Sequence, residues 1–144
     1  MGNHTYNHLN GWKTDDREYI EDILKAKEVI DSGLFRPPYG RITKFQLDLL
    51  EKQGLGLTAI MWDVLSGDFD RDLSNEDCYL NVVKNVTSGS IVVFHDSEKA
   101  FLKLQYTLPR VLKYFSDKEY VFNKLDKSVL ELSGQSAVKI SNPA

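Results

Sequence analysis

The sequence predicts an α/β fold built on parallel strands, and three observations predict it. Stretches with apolar residues at helical spacing alternate with short apolar runs bounded by Gly, Pro or Asp. The connections between them are short, which puts parallel strands inside and helices outside. The marked polar residues Tyr39, Asp63, Asp68 and His95 each follow an apolar run. The C-terminal ends of parallel strands are where such folds gather an active site.

The chain opens Met1-Gly2-Asn3-His4-Thr5-Tyr6-Asn7-His8, with His4 and His8 four positions apart. In one helical turn both imidazoles would share a face, a usual way to offer two nitrogens to one metal ion. Thr5 and Asn7 can hydrogen-bond nearby backbone and hold such a turn. Residues 12–16 read as loop. Thr14 or Asp15 caps a helix over 17–32, with Tyr19, Ile20, Ile23, Leu24, Ala26 and Ile30 at helical spacing and Gly33 ending it. Leu34 and Phe35 form a short strand, broken by the rigid turn Arg36-Pro37-Pro38-Tyr39-Gly40.

Thr43 caps a second helix over 44–53, closed by Gly54 and Gly56. Residues 57–62 read as a strand buried on both faces, and 63–72 as an acidic loop. Ser74 starts a third helix, Ser88-Gly89-Ser90 turns, and residues 91–94 form a buried strand ending at His95-Asp96. A fourth helix covers about residues 100–115, with Pro109 as a kink or restart, and residues 120–122 form a last strand. A domain over 1–125 is followed by an extension over 126–144, loose from residue 133.

At 144 residues, with 42% hydrophobic and 27% charged, the chain has the size and composition of one globular domain. A net charge of -3 and scattered basic residues argue against nucleic acid as a partner. The single Cys78 excludes an internal disulfide and a cysteine-based metal site. No apolar run is long enough for a membrane span, and the first residues do not read as a leader.

These residues resemble the polysaccharide deacetylases of the NodB-homology type, carbohydrate esterase family four. The family's second motif, His-Ser/Thr-x-x-His, is matched by His4, Thr5 and His8. Its third, Arg-x-Pro-Tyr/Phe-Gly, is matched by Arg36, Pro38, Tyr39 and Gly40. The fourth is matched loosely by Asp68-Phe69 and the fifth by Val93 and His95, where the family prefers Trp and Leu. The resemblance covers about residues 2–125. It implies a barrel of parallel strands that removes acetyl groups from N-acetylated sugars with a divalent metal. The first motif, two adjacent aspartates on the first strand, has no counterpart: Asp15-Asp16 lies in a loop on the wrong side of the second motif. The chain is also short for a closed barrel, which takes more than about 200 residues. The expectation is therefore an incomplete (β/α) barrel whose first strands lie upstream.

By that resemblance His4 and His8 are metal ligands, with zinc first and cobalt or nickel fitting the same nitrogens, and the third protein ligand is absent from this chain. The Tyr39 backbone N–H is the oxyanion donor, Arg36 orients the general base, and His95 is the general acid tuned by Asp68. Pro38, Val93, Phe69 and Trp62 line the substrate pocket. The expected partner is an N-acetylated glycan, and the expected activity is deacetylation, impaired in this chain. The alternative is a non-catalytic homologue that binds carbohydrate or a partner through the same groove. The apolar runs 57–62, 91–94 and 120–122 predict an open sheet edge and self-association through it.

Overall fold

The computed structural model describes residues 1–126, 128 and 129, which fall into two compact units. One comprises Met1–Met61 with the described residues from Lys124 on; the other is Trp62–Asn123. Among the described residues all strand pairing is parallel, as predicted.

In the first unit α1 (Asp16–Lys27) begins where Asp15 accepts hydrogen bonds from the Arg17 and Glu18 amides. Acidic Asp16 and Glu18 in its first turn and Lys25 and Lys27 in its last suit the helix dipole. The helix ends five residues before the predicted end at residue 32. The amides of Val29 and Ile30 both turn back to the Ala26 carbonyl. Beyond Ala26 no residue is buried until Phe35, and Val29 is 73% exposed. Gly33, predicted to stop the helix, instead offers its carbonyl to the Thr58 amide and opens the next ladder.

That ladder joins β1 (Leu34–Phe35) to β2 (Thr58–Ala59), Leu34 opposite Thr58 and Phe35 opposite Ala59. On the other side of β1, Asn3 bridges Phe35 in parallel. Between the strands lie a 3-10 turn, Pro38–Gly40, and α2 (Lys44–Lys52). Thr43 caps α2 as predicted, in a reciprocal box with Gln46. The expected strand over 57–62 is reduced to a pair of residues, and only Ile60 of that run is buried. Its partner β1 runs into Pro37-Pro38, which have no N–H to extend the ladder. Tyr19, Ile20 and Ile23 of α1 pack with Phe35, Ile42 and Leu50 to form this unit's core.

The second unit pairs β3 (Val64–Leu65) with β4 (Val92–Val93), Val64 opposite Val92. β3 lies inside the stretch predicted to be an acidic loop. Asp63 is drawn into the pairing, its carboxylate accepting from the Ile91 amide. α3 (Asn75–Asn85), capped by Ser74, packs on α4 (Phe101–Ser116). Val82, Val111 and Phe115 are buried between them, and α4 continues through Pro109 without a break.

No strand forms at residues 120–122. Glu119 takes a left-handed conformation (φ 63°), and the Tyr120 amide is spent on the Phe115 carbonyl at the end of α4. Val121 and Phe122 are left exposed without a ladder, so the open edge expected there does not exist. The extension over 126–144 lies outside the described residues except for Asp126, Ser128 and Val129. Among the described residues no helix is long and apolar enough to cross a membrane.

Candidate active site

The stretch from His4 to His8 is not a helical turn. Thr5 and His8 both adopt left-handed backbone angles (φ 60° and 56°), which are uncommon for side chains with a Cβ. Such a loop needs anchoring, and the side chains supply it. Asn3, 1% exposed, donates from its amide to the Ile23 carbonyl of α1 and accepts from the Thr5 amide. The Thr5 hydroxyl accepts from the Leu9 amide at 3.1 Å, the local bond expected of it. The Asn7 side chain, expected to bond nearby backbone, instead donates to the Asp22 carboxylate.

The loop nevertheless brings the two imidazoles together. Their ring centroids lie 4.9 Å apart, edge to face at 71°. His4 Nδ1 meets the Arg36 carbonyl at 2.5 Å. A carbonyl only accepts, so Nδ1 carries a proton, and in the neutral ring the lone pair sits on Nε2. A backbone carbonyl holding the far nitrogen is the usual support of a metal-binding histidine. Among the described residues no third His, Cys, Asp or Glu gathers with the pair.

Tyr39 follows in the same unit. Pro37 and buried Pro38 lead into it, and Tyr39 itself is left-handed (φ 59°, ψ 6°). The turn is closed by the Gly40 amide on the Pro37 carbonyl and the Arg41 amide on the Pro38 carbonyl, so neither bond uses the Tyr39 N–H. The Tyr39 ring is 61% exposed and lies edge-on to His8, 4.8 Å between centroids. The half-buried Arg36 guanidinium makes no ion pair among the described residues, and burial pushes its pKa down.

In the second unit Asp68 and His95 form a closed pair. Asp68 is fully buried. One of its oxygens accepts the His95 backbone N–H and the other meets His95 Nδ1, both at 2.7 Å. This double grip fixes the ring and assigns its Nδ1 proton, leaving the Nε2 edge of a ring that is 38% exposed. Gly67, at φ 82°, makes the turn before Asp68; a Cβ there would sit 2.7 Å from Leu73 Cδ2. The Phe69 ring stands edge-on to His95 at 5.1 Å. Val93 is buried in β4 two residues before His95, and Trp62 is half-buried ahead of β3.

Several supporting residues escaped the sequence. Asp22, 6% exposed on α1, accepts from the Tyr6 and Asn7 amides at 2.8 Å each. From α3, Asn81 donates to the Leu65 and Ser66 carbonyls, and Cys78 Sγ lies 3.3 Å from the Ser66 carbonyl, backing the Asp68 loop. Burial raises the Cys78 pKa, as suits a packed thiol. The one available signal was a polar residue inside each helix's apolar stripe. Asp15-Asp16, the sole adjacent aspartates, are used in starting α1: Asp15 caps the helix and Asp16 accepts from Gln46.

A family model described as polysaccharide deacetylase matches residues 1–58, the part that holds His4, His8, Arg36 and Tyr39. The chain belongs to the polysaccharide deacetylase family. A peptidoglycan-N-acetylglucosamine deacetylase of Bacillus cereus is 30% identical over 130 residues, covering 85% of this chain and 59% of that protein. The solved Bc1960 peptidoglycan N-acetylglucosamine deacetylase, in complex with an N-hydroxybenzamide, superposes with a TM-score of 0.77 at 27% identity, covering 86% of this chain and 60% of that one. The fold is also shared by BA3943, a family-four carbohydrate esterase pseudoenzyme of Bacillus anthracis, with a TM-score of 0.61, 20% identity and coverage of 78% and 41%. These solved deacetylase-family structures identify the parallel ladders as part of the family's (β/α) barrel. The chain spans 38% to 60% of the length of the first relatives it matches.

Proposed function

We propose that this deacetylase-family chain carries the metal-binding pair, the oxyanion donor and the general acid of a hydrolase that releases acetate from N-acetylated sugars. The relatives point to N-acetylglucosamine in peptidoglycan as the substrate class. The observation that carries the reading is the His4–His8 pair, 4.9 Å apart with His4 Nδ1 held by a backbone carbonyl. Both nitrogens suit a borderline-soft divalent ion, zinc by default, with cobalt or nickel as substitutes. Such an ion, when bound, supplies Lewis acidity at a carbonyl oxygen and lowers the pKa of a water.

The chain's own groups have distinct tasks. The Tyr39 N–H, held by a proline-stiffened turn, donates to the oxygen that becomes negative as the acetamide is attacked. Arg36 is half-buried without a carboxylate partner among the described residues, a costly state that suits pairing with the catalytic carboxylate of the family's first motif. His95 gives its Nε2 proton to the departing amine while buried Asp68 stabilises the imidazolium. In the second unit, half-buried Phe69 and Trp62 offer apolar surface for the acetyl or sugar group, whereas Val93, like Pro38 in the first unit, is buried.

A second reading has its own support. With no third ligand beside His4 and His8 among the described residues, the chain fits a non-catalytic glycan-binding homologue as well. Zinc titration of the full chain tests the site itself. We expect weak binding, since two imidazoles fall short of the three protein ligands usual in a catalytic site. His4→Ala or His8→Ala should abolish it. Zinc binding that survives both substitutions would place the metal elsewhere and overturn the assignment.

A further inference from the structure

We infer that Asp22 is the positioning residue of the histidine pair, acting from α1 on the backbone of the loop between them. The inference rests on the metal-site reading but concerns geometry that can be measured without a metal. The His4–His8 segment has no helix or ladder to hold it past Asn3, and two of its residues sit in left-handed angles. Left alone, a stretch of this kind samples many conformations, and the two rings would separate. Asp22 prevents that. One carboxylate oxygen accepts both the Tyr6 and Asn7 amides at 2.8 Å, and the other accepts the Asn7 side-chain amide. Both residues lie between the histidines, Tyr6 midway and Asn7 next to His8. An ionised carboxylate receiving several N–H groups makes strong, charge-assisted bonds.

The placement of Asp22 on α1 explains how the clamp stays fixed. Its neighbours Tyr19, Ile23 and Ala26 are buried in the core, so the helix cannot rotate to release it. The next residue, Ile23, offers its carbonyl to Asn3 at the start of the same loop. Two successive residues of one helix therefore grip the loop before and between its histidines. The hydrogen bonds of Asp22 go to Tyr6 and Asn7, so its role is to orient, not to react. An outer partner of this kind typically changes metal affinity by about 10–100-fold.

The test uses the full chain and Asp22→Asn, which keeps the side-chain shape but replaces an acceptor with a donor facing the loop. Nuclear magnetic resonance reads two things without metal: the ring-to-ring Overhauser effect between His4 and His8, and hydrogen-exchange protection of the Tyr6 and Asn7 amides. Cobalt(II) absorption then reads affinity. We expect Asp22→Asn to keep α1 folded by circular dichroism, lose the ring contact and amide protection, and bind cobalt about 10–100-fold more weakly. If Asp22→Asn fails to fold, Asn7→Ala on the exposed side of the clamp decides. It should show the same losses to a smaller degree, and unchanged rings would overturn the proposal. A variant with intact ring contact and wild-type cobalt affinity overturns it too, as does a wild-type chain lacking the contact. If the wild type shows the contact but binds no cobalt, the metal-site reading fails while the role of Asp22 stands.

Discussion

Tyr19 illustrates what a single residue can carry. Its hydroxyl is buried and meets no hydrogen-bond partner among the described residues. Burial, and then the negative charge of nearby Asp22, push its pKa well above the ordinary tyrosine range. The folded state thus favours the neutral phenol. Its contribution to stability is full below the ordinary tyrosine pKa of about 10 and is lost as pH rises beyond it. In alkaline titration followed by absorbance, one of the seven tyrosines should ionise only as the chain unfolds. Tyr19→Phe should remove that dependence and leave stability unchanged or higher at neutral pH, since it deletes an unsatisfied polar group. A sizeable loss of stability in Tyr19→Phe would reveal a partner for the hydroxyl. At this scale the histidines, Arg36, Tyr39, Asp68 and His95 were legible because their types and spacings are chemical. Asp22 and Asn3 were not. Each works through backbone groups distant in sequence, and the place of Asp22 in an apolar stripe does not say which groups it holds.

At the scale of elements, the helices were legible and the strands much less so. α2 and α3 begin where their caps predict, because capping is local chemistry within a few residues. The strands pair over two residues each, too short for any period to register, so β3 passed as loop. α1 ends where the Val29 and Ile30 amides turn back to the Ala26 carbonyl, and Gly33 bonds Thr58 instead, 25 residues away in the chain. The run at 120–122 has strand-like residues but no ladder to join, since its first amide closes α4. Gly11 shows how tightly the first unit is assembled. A Cβ there would lie 2.5 Å from the Arg41 carbonyl oxygen, 2.7 Å from Gln46 Oε1 and 3.1 Å from Tyr19 Cζ. The same glycine donates to that carbonyl and accepts from Gln46 Nε2, tying the loop before α1 to α2. Gly11→Ala should therefore destabilise the chain by about 1–3 kcal/mol, the usual cost of overpacking. Urea denaturation checks this, and an unchanged midpoint would mean that the loop can move away freely.

At the scale of the whole molecule, each unit carries a different part of the proposed chemistry. The first holds the histidine pair and the Tyr39 turn; the second holds Asp68 and His95. A hydrolase of this family needs a further carboxylate, both to complete the metal site and to act as base. The only adjacent aspartates here are committed to starting α1. General acid–base catalysis by one group contributes about 10²–10⁴-fold, so its loss alone would leave little turnover. The full chain, supplied with zinc and an N-acetylglucosamine oligomer, should therefore release acetate at no more than a small fraction of the rate of an intact deacetylase. Adding the chain's own His95→Ala substitution should then change that residual rate little, because proton donation to the leaving amine cannot limit a reaction whose attack step lacks its base. Acetate release at an intact enzyme's rate, falling sharply in His95→Ala, would show instead that the chain provides a working base, and would decide between the catalytic and the glycan-binding readings in favour of the first.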